Sequence, residues 1–393
     1  MSNRPRLTPA IADVRRAVRT SLADALARHP SSERPSSENA PSSENEGDPR
    51  RQRAAGPDST KTGRNSFVLG KEPLVLVALS GGPDSLALAA ATAFEAPRAG
   101  ARAGAVIVDH GLQRGSAEIA AAVATRAAAL GLDPVLVRRV GVGLDGGPEA
   151  AARLARYAAL AEAAERTGAI SVLLGHTLDD QAETVLLGLA RGSGATSLHG
   201  MPEVSPASDD AGGATPEYRR PLLGIRRATT VQFCLDSGLE QWDDPQNEEA
   251  RFARVRVRRQ LLPTLERDLG PGIAEALART ADQLREDASA LDGLAEELIE
   301  DLAEHAEAGL SLSVRGLAAN PPALRQRIIR LAAAGEFGVS LSRSQTLQVA
   351  RLVTHWHGQG PVHLPGIRVG RRGGLLIFTS APADPTRKNS PQT

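Results

Sequence analysis

A run of six apolar residues that ends in a glycine-rich turn constrains the fold of this 393-residue chain more than any other stretch. Residues 74–79 read Leu-Val-Leu-Val-Ala-Leu, and residues 80–85 read Ser-Gly-Gly-Pro-Asp-Ser. An unbroken apolar run between turn residues is typical of a parallel strand that is covered on both faces. Pro83 suits the first turn of a helix, where its missing N–H costs little. The stretch therefore predicts a buried strand, a tight turn and a helix.

The turn also predicts a phosphate site. Gly81 and Gly82 let a ligand approach the main chain, and a helix N-terminus offers unpaired N–H groups and partial positive charge. Ser80 and Ser85 add hydroxyl donors, and Asp84 could hold Mg²⁺. Because the turn has no lysine, it is not the G-x-x-x-x-G-K-[ST] loop. A plain connecting turn without a ligand is the alternative.

Apolar strands and alanine-rich helices alternate from residue 74 to about residue 190. The further strands are predicted at 105–108, 134–137 and 170–174, and the helices at 116–130, 148–167 and 179–190. This alternation predicts an α/β fold with a parallel, Rossmann-like sheet and helices on both of its faces. Ligands bind such sheets beyond the carboxyl ends of the strands, so we expect functional residues in the segments that follow them.

Polar residues follow the second and third strands. Asp109 and His110 end the second strand, where a carboxylate would point into the ligand crevice; a helix cap is the alternative. Arg153 lies on the helix after the third strand and could neutralise a phosphate or a carboxylate. A surface salt bridge is the alternative for Arg153.

The segment after the fourth strand is the richest in polar groups. Its candidates are Gly175, His176, Asp179, Asp180 and Glu183. The carboxylates could bind Mg²⁺ or orient an incoming amine, and one of them or His176 could accept a proton. A capping box formed by Thr177 and Asp180 is the alternative, and it can coexist with the functional reading.

These motifs, in this order, resemble the tRNA(Ile)-lysidine synthase family of N-type ATP pyrophosphatases, also called PP-loop enzymes. The resemblance rests on Ser-Gly-Gly-x-Asp-Ser, Asp-His-Gly-Leu, Glu-Ala-x-x-Arg-x-x-Arg-Tyr, His-Thr-x-Asp-Asp-Gln-x-Glu-Thr and Arg-Gly-Ser-Gly. It is strong over residues 74–265 and weaker over 310–378, which is similar to that family's substrate-binding domain. Val255 stands where the family usually has Asn.

The resemblance implies an AMP-forming ligase that uses ATP, Mg²⁺ and L-lysine to convert the wobble cytidine of the CAU anticodon of tRNA(Ile) to lysidine, so that the tRNA reads AUA instead of AUG. It implies that the nucleotide is bound by Ser80, Gly81, Gly82, Pro83, Asp84, Ser85, His110, Arg153 and Gly175. The catalytic candidates are Asp84, Asp109, His176, Asp179, Asp180 and Glu183, with Asp84 and Asp180 as ligands of Mg²⁺.

Arginine density, rather than net charge, indicates where tRNA would bind, because the formal net charge is zero. Two clusters lie at residues 219–227 and 251–259. The candidates for contact with tRNA are Arg191, Arg219, Arg220, Arg254, Arg256 and Arg258. The last three would share one face of a strand but spread around a helix, and a solvated charged face is the alternative.

Six parts are predicted along the chain. They are an N-terminal helix (1–29), a disordered tract with a repeated Pro-Ser-Ser-Glu-Asn (30–70), the PP-loop domain (71–225), a helical tRNA-contacting region (226–309), a small substrate-binding domain (310–380) and a disordered tail (381–393). The apolar face of the first helix needs a partner, so the tract reads as an insertion between that helix and the first strand.

Cysteine usage and hydropathy limit the remaining alternatives. Cys234 is the only cysteine, which excludes a disulfide framework and argues against a cytidine thiolase with its cysteine pairs. A non-catalytic nucleotide- or tRNA-binding paralogue stays open as the second alternative. No apolar run reaches membrane-spanning length and no signal peptide is evident, so we expect a cytoplasmic protein with no membrane partner. The oligomeric state, monomer or homodimer, stays open.

Overall fold

The computed structural model describes residues 7–29, 72–111, 115–141, 148–192, 194–207, 216–242, 249, 251–304 and 309–381. In chain order the elements are α1 (Pro9–Arg28), β1 (Leu74–Ala78), α2 (Pro83–Glu95), β2 (Arg102–Asp109), α3 (Ser116–Ala129), β3 (Val135–Arg139), α4 (Pro148–Thr167), β4 (Ser171–Leu173), α5 (Leu178–Ala190), α6 (Ala195–Leu198), β5 (Val204–Pro206), β6 (Glu217–Arg219), α7 (Arg227–Asp236), α8 (Ala253–Arg256), α9 (Leu262–Leu269), α10 (Ile273–Leu302), β7 (Ala303–Glu304), β8 (Leu310–Ser313), α11 (Val314–Ala319), α12 (Pro322–Phe337), α13 (Arg343–Thr354), β9 (Val362–Leu364), β10 (Ile367–Arg372) and β11 (Leu375–Ser380). The predicted disordered tract at 30–70 lies outside the described residues, as does the predicted tail beyond residue 381.

The first compact unit comprises Met1–Leu187 and Met201–Ala278 and contains a six-stranded sheet. The strand order is β3-β2-β1-β4-β6-β5. All neighbouring pairs are parallel except β5, which runs antiparallel to β6. The prediction of an α/β fold with a parallel sheet is confirmed.

Strand β1 is buried on both faces, as its unbroken apolar run predicts. Val75 and Val77 belong to a core that includes residues of α1, α2, α3 and α7. Leu74 and Leu76 point the other way, into a second core that includes Leu160 of α4. Successive side chains of a strand alternate between its faces, so covering β1 on both sides requires an apolar residue at every position.

Helix α1 packs on α2 and α7 through its apolar face. Val14, Val18 and Leu22 are completely buried. At the edge of this contact, Arg15 and Arg19 both donate to the buried carboxylate of Glu95 on α2. The first helix is therefore an integral part of this unit.

Two short strands lie in the described parts of the segment 201–219. They are β5 and β6, and β6 pairs in parallel with β4. Tyr218 on β6 is buried, packs edge-on against the ring of Tyr157 and donates its hydroxyl to Tyr157 O at 2.8 Å.

The second compact unit comprises Gly188–Gly200 and Arg279–Thr393. Its antiparallel sheet has the order β7-β8-β11-β10-β9, and its core joins strand and helix residues such as Leu312, Ile328, Val349, Ile367 and Phe378. This unit combines helices with an antiparallel sheet, so the C-terminal part is an α+β domain. The domain boundary predicted after residue 225 falls inside the first unit, and the one predicted after residue 309 falls inside the second.

None of the described helices is long and apolar enough to cross a membrane.

Candidate active site

Hydrogen bonds within the turn 80–85 fix its shape. Ser85 Oγ accepts a hydrogen bond from Ser80 N at 3.2 Å and donates to Gly82 O at 3.0 Å, and the two serine hydroxyls lie 3.1 Å apart. Gly82 caps α2, and Pro83 follows in its first turn. The N-terminus of α2 and two hydroxyl groups therefore face the same turn, as a phosphate site requires.

Two glycines permit the close packing around this turn. Gly81 has φ +89°, and a Cβ added there would lie 2.8 Å from Val123 Cγ2. A Cβ at Gly175, directly after β4, would lie 3.1 Å from the backbone of Ser85. Trp242 N donates to Gly81 O at 3.1 Å and so ties the turn to the segment that follows α7. Glycine is needed at residue 81 both for its backbone angle and for space.

A cavity of about 330 Å³ opens at the carboxyl ends of β1 and β2. Its polar lining includes Ser80, Asp109, His110 and Arg156, and Trp242 lies among its walls. Its apolar lining comes from β2, α3 and α4. The structure thus brings the turn and the end of the second strand to one cavity, where the sequence placed them.

Hydrogen bonding and burial set the protonation states of Asp109 and His110. Burial opposes ionisation of Asp109, but Gly111 N donates to its Oδ1 at 2.9 Å and helps to lower the pKa of this carboxyl. Burial and the positive charge of Arg156 lower the pKa of His110, whose Nδ1 has no hydrogen-bond partner in the part of the chain that the structure describes. Asp109 is therefore ionised and His110 neutral at neutral pH.

Arg156 lines the cavity, whereas the sequence pointed to Arg153. Arg153 is exposed, and its guanidinium contacts the hydroxyl of Tyr157 at 3.3 Å. Arg156 lies one helical turn before the buried Leu160, so both side chains lie on the face of α4 that packs against the core. Burial lowers the pKa of the Arg156 guanidinium. That spacing is the signal by which the sequence could have identified Arg156.

Asp180 both caps α5 and belongs to a charged cluster. It accepts hydrogen bonds from Thr177 N at 2.8 Å and from Thr177 Oγ1 at 2.9 Å, which realises the capping alternative. Its other oxygen accepts from Arg227 at 2.8 Å and from Arg258 at 3.3 Å. Burial opposes ionisation of Asp180, but the positive charges around it, foremost Arg227, hold its pKa well below the usual range.

Glu183 is completely buried and is surrounded by three guanidinium groups. Arg254 Nε lies 2.9 Å from its Oε2, and Arg258 Nε and Arg227 Nη1 lie 2.7 and 3.2 Å from its Oε1. A buried carboxylate needs such partners, because an unpaired charge in this position is costly.

Arg227 contacts every carboxylate that the sequence placed around the turn and α5. Its guanidinium lies 3.1 Å from Asp84, 2.8 Å from Asp180 and 3.2 Å from Glu183, and its backbone N donates to Asp179 at 2.7 Å. Sequence analysis had placed Arg227 in an arginine cluster expected to bind tRNA. The charges of the three carboxylates raise the pKa of the guanidinium despite its burial.

Asp84 lies in the first turn of α2 with both of its oxygens engaged. Arg227 donates to Oδ2, and the hydroxyl of Thr230 donates to Oδ1. Burial nevertheless raises the pKa of Asp84 above that of an ordinary aspartate.

His176 lies beside this cluster with its Nδ1 buried, and this atom has no hydrogen-bond partner among the described residues. Burial lowers the pKa of His176 to about 3. The imidazole is therefore neutral at physiological pH.

The structure places Arg219 and Arg220 in the interior. Arg219 is 1% exposed and pairs with Glu217 at 2.6 Å and with Asp24 at 2.8 Å. Arg220 is also buried and donates to Pro202 O at 2.8 Å. The burial of both residues follows from the pairing of β6 with the sheet, which the sequence did not reveal. Neither guanidinium is accessible to a tRNA phosphate in this conformation.

The arginines at 254, 256 and 258 lie on helical backbone and point in different directions. Arg254 and Arg258 face Glu183, whereas Arg256 is exposed and donates to Arg251 O at 2.8 Å. Arg191 is exposed and belongs to the second unit.

Comparison with known proteins identifies the family. The PP-loop domain family matches residues 60–265, and the TilS substrate binding domain family matches residues 312–376. The chain is 64% identical over 307 residues to tRNA(Ile)-lysidine synthase of Leifsonia xyli subsp. xyli, which covers 78% of this chain and 89% of that protein. The chain belongs to the tRNA(Ile)-lysidine synthase family.

Further relatives with the same name extend the comparison. The enzyme of Streptomyces coelicolor is 54% identical over 78% of this chain and 85% of its own length, and that of Thermobifida fusca is 53% identical over 78% and 92%. Among solved structures, the U34-tRNA thiolase NcsA from Methanococcus maripaludis with its [4Fe-4S] cluster has a TM-score of 0.49 at 17% identity, covering 70% of this chain and 80% of that chain. That likeness is too low to carry a functional inference.

Proposed function

We propose that this member of the tRNA(Ile)-lysidine synthase family joins L-lysine to the wobble cytidine of tRNA(Ile) with a CAU anticodon, with conversion of ATP to AMP and pyrophosphate. The observation that carries the proposal is the bridge that Arg227 forms from Asp84, beside the phosphate-binding turn, to Asp180 and Glu183. A phosphate site and a carboxylate cluster that suits an amine thus adjoin one another.

The chemistry requires two steps. The C2 oxygen of cytosine is a poor leaving group, so it first attacks the α-phosphate of ATP and pyrophosphate leaves. The ε-amine of lysine then attacks C2, and AMP leaves with the oxygen. The turn 80–85 would hold the phosphates, and Arg156 in the cavity would stabilise the negative charge that develops on the α-phosphate.

The cavity would hold the adenosine part of ATP. The purine fits its apolar walls, and Asp109 and the neutral His110 offer hydrogen-bonding groups at its edge. Apolar walls for the ring together with placed polar groups are usual in such sites.

Asp179, Asp180 and Glu183 are the candidates for holding the lysine, and its ammonium group would have to replace guanidinium partners such as Arg226 and Arg227. The attacking amine must lose a proton, and a proton acceptor works best with a pKa near the operating pH. His176, with a pKa of about 3, is a weak acceptor.

The carboxylates present fit Mg²⁺. Among the described residues, no three His, Cys, Asp or Glu side chains are arranged to hold a metal by themselves. Mg²⁺ usually binds one or two carboxylates together with phosphates and water. Asp84, in the first turn of α2, is placed to hold the ion together with the phosphates, whereas both oxygens of Asp180 are engaged by Thr177, Arg227 and Arg258, so Asp180 as a ligand stays a prediction. The ion would neutralise charge on the phosphates during adenylation.

The alternatives lose support. A thiolase needs reactive cysteines, but Cys234 is buried, and burial raises the pKa of its thiol to about 12. A non-catalytic nucleotide- or tRNA-binding paralogue would have no need for Asp84, Asp180 and Glu183 in one place, since each buried carboxylate is costly.

Release of pyrophosphate from ATP tests the proposal. We expect release with the CAU-anticodon tRNA and lysidine only when L-lysine is also present. The same tRNA with adenosine at the wobble position is the matched control, because adenine lacks the C2 oxygen. Pyrophosphate release that does not depend on tRNA, or that persists with the wobble adenosine, would contradict the proposal.

Two further predictions accompany this function. An enzyme with these substrates would act in the cytoplasm, where ATP, L-lysine and tRNA occur together. The oligomeric state stays open, and sedimentation of the full chain would decide between a monomer and a homodimer.

A further inference from the structure

Arg227 is the side chain that links the nucleotide side of the site to the amine side. Asp84 lies on α2 next to the phosphate-binding turn, whereas Asp180 and Glu183 lie on α5. Among the described residues, the guanidinium of Arg227 is the one that all three carboxylates share, at 2.8 to 3.2 Å. In the part of the chain that the structure describes, this side chain therefore joins two elements that carry different substrates in the proposed reaction.

The carboxylate on α2 and the two on α5 differ in their other cationic partners. Glu183 also pairs with Arg254 and Arg258, and Asp180 also pairs with Arg258. For Asp84, Arg227 is the one cationic partner among the described ion pairs. Without Arg227, Asp180 and Glu183 would keep a cation, but Asp84 would keep only the hydroxyl of Thr230.

We propose that Arg227 is a positioning residue that serves as the internal counter-ion of Asp84 and must release this carboxylate when Mg²⁺ enters with the nucleotide. This inference rests on the proposed function, because it assumes that Asp84 binds Mg²⁺. The guanidinium lies 3.1 Å from Asp84 Oδ2, and the hydroxyl of Thr230 donates to Oδ1, so an ion that binds Oδ2 has to compete with Arg227. Two cations at one partly buried oxygen repel each other strongly.

The release is incomplete, because Arg227 keeps its partners on the other side. Asp180 and Glu183 hold the same guanidinium through its two terminal nitrogens, whereas Asp84 is held by Nε. A small displacement that breaks the Nε contact leaves the other two in place. The competition between Mg²⁺ and Arg227 therefore limits how much the metal contributes to nucleotide affinity.

The metal's contribution can be measured without turnover. The dissociation constant of α,β-methylene ATP, which cannot be cleaved between the α- and β-phosphates, is determined by calorimetry with the full chain in EDTA and in saturating Mg²⁺. The ratio of the two constants reports what the metal adds. In Arg227→Gln we expect this ratio to rise by about threefold or more, because Mg²⁺ no longer displaces a cation and the metal-free nucleotide meets an uncompensated carboxylate.

A purely structural role of Arg227 predicts a different result, since damage to the fold would weaken both affinities and leave the ratio unchanged. Arg226→Gln is the matched control: Arg226 pairs with Asp179 and Glu275, and its replacement should leave the ratio at the wild-type value. An unchanged or smaller ratio in Arg227→Gln, or a wild-type ratio of one, overturns the inference. Failure of the proposed function would show separately, as pyrophosphate release without tRNA.

A second measurement uses the wild-type chain, in case the variant does not fold. The Nε–H resonance of Arg227, assigned with Arg227→Lys, is followed in complexes of the analogue in EDTA and in Mg²⁺. Loss of the Asp84 contact should shift this resonance on addition of Mg²⁺, whereas the Nε–H of Arg226 should stay in place. A resonance of Arg227 that is identical in the two complexes overturns the inference.

Discussion

Arg219 Nη1 lies 2.8 Å from Asp24 Oδ2 and joins strand β6 to the N-terminal helix. The same nitrogen donates to Ser21 O at 3.1 Å, and Nη2 donates to Glu217 at 2.6 Å. The guanidinium is 1% exposed, although the sequence grouped it with tRNA-binding arginines. Hydrogen bonding to Arg219 outweighs the effect of burial and lowers the pKa of Asp24.

Arg219→Met is expected to destabilise the chain by about 2–4 kcal/mol, because it leaves Glu217 and Asp24 without their buried partner. Urea denaturation measures the loss. Arg28→Met is the control: Arg28 is about half exposed and pairs with the same Asp24, so its loss should cost about 0–1 kcal/mol. A variant of normal stability with weakened tRNA binding would instead support the original tRNA role of Arg219.

Substitutions of Arg254 and Arg256 should have different effects, one on turnover and the other on tRNA binding. Arg256 is exposed, so Arg256→Gln is expected to weaken tRNA binding and to reduce the slope of log affinity against log salt by about one. Arg254 pairs with the buried Glu183, so Arg254→Gln should lower turnover and leave that slope unchanged. Filter binding over a series of salt concentrations, together with pyrophosphate release, distinguishes the two. Equal salt slopes in wild type and Arg256→Gln would refute a phosphate contact by Arg256.

The site residues that sequence could predict are those fixed by the strands. Asp109 and Asp180 follow the ends of predicted strands, and the ends of parallel strands meet at one edge of a sheet. Arg227 could not be assigned in this way, because its partner Asp84 lies 143 positions away and the contact depends on how α7 packs on α2. The burial of Arg219 could not be predicted either, because β6 is too short to show a period.

The two glycines of the turn should respond differently to a methyl group. Gly81→Ala is expected to destabilise the ligand-free chain by about 1–3 kcal/mol, because it combines positive φ with a contact of 2.8 Å to Val123. Gly82→Ala has an ordinary φ of −72° and no neighbour closer than 3.8 Å, so its effect on stability should be about 1 kcal/mol or less. Urea denaturation without nucleotide measures both, and equal effects would contradict the assigned role of Gly81.

The buried His176 should make the chain sensitive to acid. Its pKa is about 3 in the folded protein, against 6.5 for an ordinary histidine. Between these values the unfolded chain binds a proton at His176 that the folded chain does not bind. Stability is therefore fully present above pH 6.5 and falls as the pH decreases below it.

His176→Gln removes this proton uptake, so between pH 7.5 and 5 the variant should lose less free energy of unfolding than wild type. His363→Gln, at an exposed position of β9, should keep the wild-type pH dependence. Urea denaturation at both pH values measures the difference. In the wild-type chain, the imidazole resonances of His176 should not titrate between pH 8 and 5. A midpoint near 6.5 for those resonances would show that the side chain is solvated and would remove the argument against His176 as the proton acceptor.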